Sequence, residues 1–137
     1  MSGINQQLLR DIGEIINQSN AVVFLTDDFA YLGKTDDIDN VLGHLISKGR
    51  LLPIGEGLLA KGRKNAITGN TMLSAAGGFD EVAKAGLNRL GVWWKPGTAE
   101  AAYISGGNQI PVRTIVRVKP GVNPRIAWDK FELRVEW

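Results

Sequence analysis

Apolar residues recur at helical spacing over the first third of the chain and at every second position over the last third. Ile4, Leu8, Leu9, Ile12, Ile15 and Ile16 predict an amphipathic helix over about 4–18, broken by Ser19-Asn20. The run Ala21–Thr26, "AVVFLT", is β-branched and aromatic and reads as a short strand or buried lead-in. Asp27 or Thr26 can then cap a helix of one to two turns that turns Phe29 and Leu32 inward and closes at Gly33. Thr35 is placed to cap a further helix over about 36–48, because Ile38, Val41, Leu42, Leu45 and Ile46 share one helical face. Gly49 ends it. "LLPI" and "LLAK" around Gly55-Glu56-Gly57 then predict a β-hairpin, with glycine supplying the left-handed turn position.

Helix, strand, helix, turn, helix, hairpin is the order of a winged helix-turn-helix. The polar, glycine-containing stretch Arg63–Thr71 reads as the junction to a second lobe. There, Phe79, Val82, Ala83, Gly86, Leu87 and Leu90 predict another helix, ending near Gly91. "AAYIS" at 101–105 reads as a strand and "GGNQ" as the turn after it. Val112, Thr114, Val116 and Val118 alternate with Arg113, Ile115, Arg117 and Lys119, the period of a half-buried strand. Phe131, Leu133, Val135 and Trp137 alternate in the same way with Lys130, Glu132, Arg134 and Glu136. The expected fold is therefore α+β. A winged helix-turn-helix over residues 1–64 is followed by a small α+β lobe over 65–137 with antiparallel C-terminal strands.

Composition narrows what such a chain can do. A length of 137 residues suits one domain, or a small module with a second lobe sharing its core. There are no cysteines and one histidine, which leaves no thiol nucleophile, no disulfide and no His/Cys cluster for zinc. No "GxSxG" elbow occurs, and "GEGLLAKG" and "SAAGGF" lack the placement of nucleotide-binding loops. An enzyme, a metal or a cofactor is accordingly not expected. "MSGINQQLLRD" lacks the basic and apolar regions of a signal peptide, and no apolar run approaches the ~20 residues of a membrane span, so a cytoplasmic protein is expected. The net charge of +2 hides an asymmetry: residues 1–47 hold two basic and seven acidic side chains, residues 48–137 fourteen and seven. A basic later half fits a polyanionic partner.

The run "VLGHLISKGRLLPIGEGLLAKGR" (41–63) resembles the helix-and-wing segment of the AbiEi-like antitoxins and their DUF6088 relatives. "FDEVAKAGLNRLGV", "AAYISGGNQIPVRTIVRV" and "RIAWDKFELRVEW" are similar to later parts of the same family, so the likeness spans roughly residues 20–137. These are hydrophobic and small-residue patterns rather than catalytic signatures. The resemblance implies a winged-helix transcriptional regulator of bacterial chromosomes, plasmids or phages, of a kind that is often the antitoxin half of a type IV toxin–antitoxin pair and then has a cognate toxin as a second partner. Longer members carry a larger C-terminal domain; this chain is short, which bears on the expected toxin antagonism more than on DNA binding.

In a winged helix the second helix of the turn motif reads base edges in the major groove of double-stranded DNA. Asn40, His44 and Lys48 recur at i, i+4, i+8, with Ser47 beside them. Asn pairs bidentately with adenine and Lys donates to guanine. Lys34 and Thr35 at the helix start, and Arg50, Lys61, Arg63 and Lys64 flanking or tipping the wing, are the expected phosphate contacts. Plain surface roles compete for each, most of all for the lone His44. Asp36, Asp37 and Asp39 complement the helix dipole, yet they would repel phosphate if they faced DNA. Trp93 and Trp94 are expected to pack between the lobes or at a homodimer contact, and Trp128 and Trp137 in the strand core. The alternative is a protein-interaction module that keeps the fold without DNA.

Overall fold

The computed structural model describes residues 4–97 and 114–137, and the expected strand at 101–105 and its turn lie outside them. The protein is α+β, with helices and strands interleaved. Helix α1 (Gln6–Gln18) starts where the Asn5 side chain accepts a hydrogen bond from the Leu8 N–H at 3.0 Å, and it buries Leu8, Ile12 and Ile16. Strand β1 (Val23–Leu25) leads into a 3₁₀ helix (Thr26–Leu32). Asp28 caps that helix by accepting from the Leu25 N–H at 2.9 Å, and Phe29 is completely buried. Helix α2 (Thr35–Ser47) follows and buries Ile38, Val41, Leu42 and Leu45, as the spacing predicts. Thr35 is not its cap but its first residue. Lys34 occupies the cap position, and no side chain caps the helix start.

Strands β2 (Leu51–Gly55) and β3 (Leu58–Lys64) form the expected hairpin, and β1 pairs antiparallel with the other edge of β3. The sheet order is β1-β3-β2. The stretch expected to join two lobes is instead a second hairpin. Strand β4 (Thr71–Leu73) folds back antiparallel on the outer end of β3, setting Gly62 opposite Leu73 and Lys64 opposite Thr71.

The pleat divides this sheet between two cores. Phe24, Leu51 and Leu59 face α1, the 3₁₀ helix and α2, joining Leu8, Ile12, Ile16, Phe29, Val41 and Leu45. Val23, Leu52, Ile54, Leu58 and Ala60 face the other way. They meet helix α3 (Gly78–Arg89) through Phe79, Val82, Ala83 and Leu87, and the C-terminal segments through Val116, Val118, Ile126 and Leu133. Leu58-Leu59-Ala60 is thus buried at every position because alternate residues serve opposite layers. One core takes side chains from both sides of the expected 64/65 boundary.

The remaining strands are short: β5 (Lys95–Pro96), β6 (Ile115–Arg117), β7 (Ala127–Trp128), β8 (Phe131–Glu132) and β9 (Arg134–Glu136). Thr114, Val116 and Val118 point inward, as the alternation predicts. β5 with β6, and β7 with β8, pair antiparallel. β6 and β9, however, pair parallel, which corrects the expectation of uniformly antiparallel C-terminal strands. The intervening chain dips through buried Ile126 and the β7–β8 hairpin and so returns in the same direction. Trp137 is also displaced from its expected place in the core. It is 63% exposed, with its indole N–H donating to the Val122 carbonyl at 2.8 Å. Among the described residues no helix is long and apolar enough to cross a membrane.

Candidate nucleic-acid interface

Because α2 turns its apolar stripe to the core, its outward face is set by geometry. Asp36, Asn40, Gly43 and Ser47 recur at i, i+4, i+7, i+11, and all are exposed. The expected stripe of Asn40, His44 and Lys48 shares Asn40 with this line and then diverges from it. His44 is half-buried at its flank, and Lys48 is the exposed residue that ends the helix. Asn40 presents its amide to solvent with no hydrogen-bond partner among the described residues. Ser47 donates its hydroxyl proton to the His44 carbonyl at 2.6 Å, so its oxygen is left as an acceptor. Lys34 and Thr35 are exposed at the start of the helix, beside exposed Asp36 and half-buried Asp37.

The basic residues assigned to the wing separate into two groups. Arg50 and Lys61 sit at the end of the β2–β3 ladder farthest from its turn, since Lys61 pairs with Leu51. Arg50 donates to the Asn17 side chain at 2.8 Å and lies over Gly13. Lys61 donates to the Ser19 carbonyl at 2.6 Å. Ser19 caps the C-terminus of α1, which has no basic residue in its own last turn, so Lys61 brings positive charge to the negative end of that helix. Both side chains staple α1 to the sheet. Arg63 and Lys64 lie further out, on the part of β3 that pairs with β4; both are exposed and unpaired among the described residues. Lys48 is likewise exposed and unpaired among the described residues, and the close approach of Gly49 to Thr71 sets its end of α2 beside the β3–β4 hairpin.

The turn of the β2–β3 hairpin carries none of these charges, so the basic residues flank the hairpin and do not tip it. A Cβ added at Gly55 would come within 2.8 Å of the Arg125 carbonyl oxygen, and the Gly57 carbonyl accepts from the Thr26 N–H at 3.0 Å. The turn is thereby held between the 3₁₀ helix and the C-terminal part, with Glu56 its one exposed charge. It is not free to enter a groove.

No family model, curated protein or solved structure matches this chain. Two of its features escape the sequence reading. Gly43, in the middle of the outward face, is silent because an apolar-period search skips a glycine on the solvent side. The β3–β4 hairpin is signalled only by Gly69-Asn70 in its turn and the short β-forming run "TML" after it. Among the described residues no group of three His, Cys, Asp or Glu side chains could hold a metal ion.

Proposed function

We propose that this chain is a DNA-binding transcriptional regulator of the winged helix-turn-helix kind, antitoxin-like in repressing its own operon. The observation that carries the reading is the placement of α2. It follows a short helix and a turn and packs on a sheet of order β1-β3-β2, with a polar outer face that ends at exposed Lys48, beside the hairpin that carries exposed Arg63 and Lys64. In this reading Asn40 reads an adenine edge in the major groove, Ser47 accepts from a base or sugar, and Lys48, Arg63 and Lys64 contact phosphate. Arg50 and Lys61 act indirectly, by fixing α1 against the sheet.

The test is a duplex pool with a randomised centre, selected with the purified chain. Asn40→Ala should lose about 1–3 kcal/mol of discrimination at one base pair. Lys48→Ala, Arg63→Ala and Lys64→Ala should each lower the log–log salt slope by about one, with little change in sequence preference. Failure to bind any duplex at low salt would overturn the proposal.

A second reading, a protein-interaction module, is favoured by one observation. Asp36 and Asp39 are exposed on the face that would meet DNA. It requires stoichiometric capture of a basic partner that Asp36→Lys abolishes, together with no enrichment of DNA.

A further inference from the structure

We infer that the β3–β4 hairpin is this protein's groove-inserting wing, and that Ile67 at its tip enters the minor groove of duplex DNA as an apolar wedge. The inference rests on the DNA-binding reading above and adds to its phosphate contacts at Arg63 and Lys64 an apolar contact, Ile67, that the reading does not use.

Ile67 is 94% exposed, more than any other large apolar side chain of the described residues. Its surroundings hold it there. The Asn65 side chain accepts from the N–H groups of Ile67 at 2.8 Å and Thr68 at 3.1 Å. The Gly69 N–H donates to the Asn65 carbonyl and the Asn65 N–H to the Asn70 carbonyl, both at 2.8 Å. Gly69 lies at φ +75°, which L side chains rarely adopt. The turn is therefore built from its own hydrogen bonds, with no core contact at its tip.

The base of this hairpin is fixed to the end of α2. The Gly62 N–H donates to the Arg50 carbonyl at 2.9 Å, and a Cβ added at Gly62 would collide with the Gly49 carbonyl oxygen. A Cβ at Gly49 would meet the Thr71 hydroxyl at 2.9 Å. The major-groove helix and the hairpin thus hold one fixed relation, with Lys48 closing the helix and Arg63 and Lys64 on the strand that enters the hairpin. An apolar side chain ahead of basic shoulders is the arrangement by which minor-groove proteins part a base step while anchoring on the flanking phosphates. Pyrimidine–purine steps yield to it most easily. The β2–β3 turn, pinned and carrying Glu56, has neither the apolar tip nor the positive charge for this role.

Full-length protein and a duplex selected by the wild-type chain, labelled at both ends for energy transfer, provide the test. Ile67→Ser, at a position with no packing to lose, should bind about ten-fold more weakly. It should also bend the duplex less and leave the salt slope unchanged, while Ile67→Leu should restore both binding and bend. If Ile67→Ser binds and bends like wild type while Asn40→Ala still loses its preference, the wedge is wrong and the helix reading stands. If neither wild type nor variant binds duplex, the DNA reading falls and this inference with it.

Discussion

Gly43 lies midway along α2 on its solvent face, where an added methyl group would meet nothing within 4 Å. A glycine in an exposed helix interior costs about 1 kcal/mol relative to alanine, so Gly43→Ala should raise unfolding stability by about that amount in urea. The same methyl group should weaken binding to the selected duplex, because it stands between Asn40 and Ser47 where the major-groove floor would approach. Gly62 presents the opposite case. Its side-chain position is filled by the Gly49 carbonyl oxygen, a backbone atom that cannot rotate aside. Gly62→Ala should lose about 1–3 kcal/mol, read as a lower urea midpoint at unchanged slope. Nothing in the local sequence separates these two glycines. Their difference lies in which distant atoms occupy the missing Cβ, and only the fold supplies those.

At the scale of elements, the apolar period placed α1, α2 and α3 within a few residues of where they lie. Ile12, Val41 and Leu87 are as buried as their spacing requires. The tight β2–β3 hairpin was equally legible from Gly55-Glu56-Gly57. The partners of the basic residues were not. Arg50 and Lys61 find Asn17 and Ser19, 33 and 42 residues away, and no local pattern encodes such pairings. Parallel pairing of β6 with β9 was hidden for the same reason, since alternation reports which side chains face inward but not which strand lies alongside. The aspartates of α2 allow a test at this scale. Asp36→Asn removes a charge that favours the helix start, so it should cost ~0.3–1 kcal/mol of stability. It should also tighten duplex binding about two- to five-fold by relieving repulsion from phosphate, with sequence preference unchanged. A preference altered at a single base pair would instead show that the carboxylate accepts from cytosine N4.

For the whole molecule, the central sheet serves two cores at once. Val23, Leu52, Ile54, Leu58 and Ala60 are covered by residues from Leu73 to Leu133. Burying each of the larger side chains contributes about 1.5–3 kcal/mol, which is comparable in sum to the entire stability of a small domain. A fragment ending at Lys64 should therefore fail to unfold cooperatively and should bind a hydrophobic dye. A sharp two-state transition from residues 1–64 alone would show that the first core suffices. A length of 137 residues allowed for a second lobe sharing its core, but the polar run after Arg63 concealed how early the sharing begins. The arrangement also sets a clock on synthesis. Leu58 leaves the ribosome 75 residues ahead of Leu133, the last residue of its core. At roughly 5–20 residues per second that is an interval of about 4–15 seconds. Until Val116, Val118, Ile126 and Leu133 have followed, only Leu73, Ala75 and the residues of α3 can cover that face, so part of the apolar sheet stays open to solvent during translation.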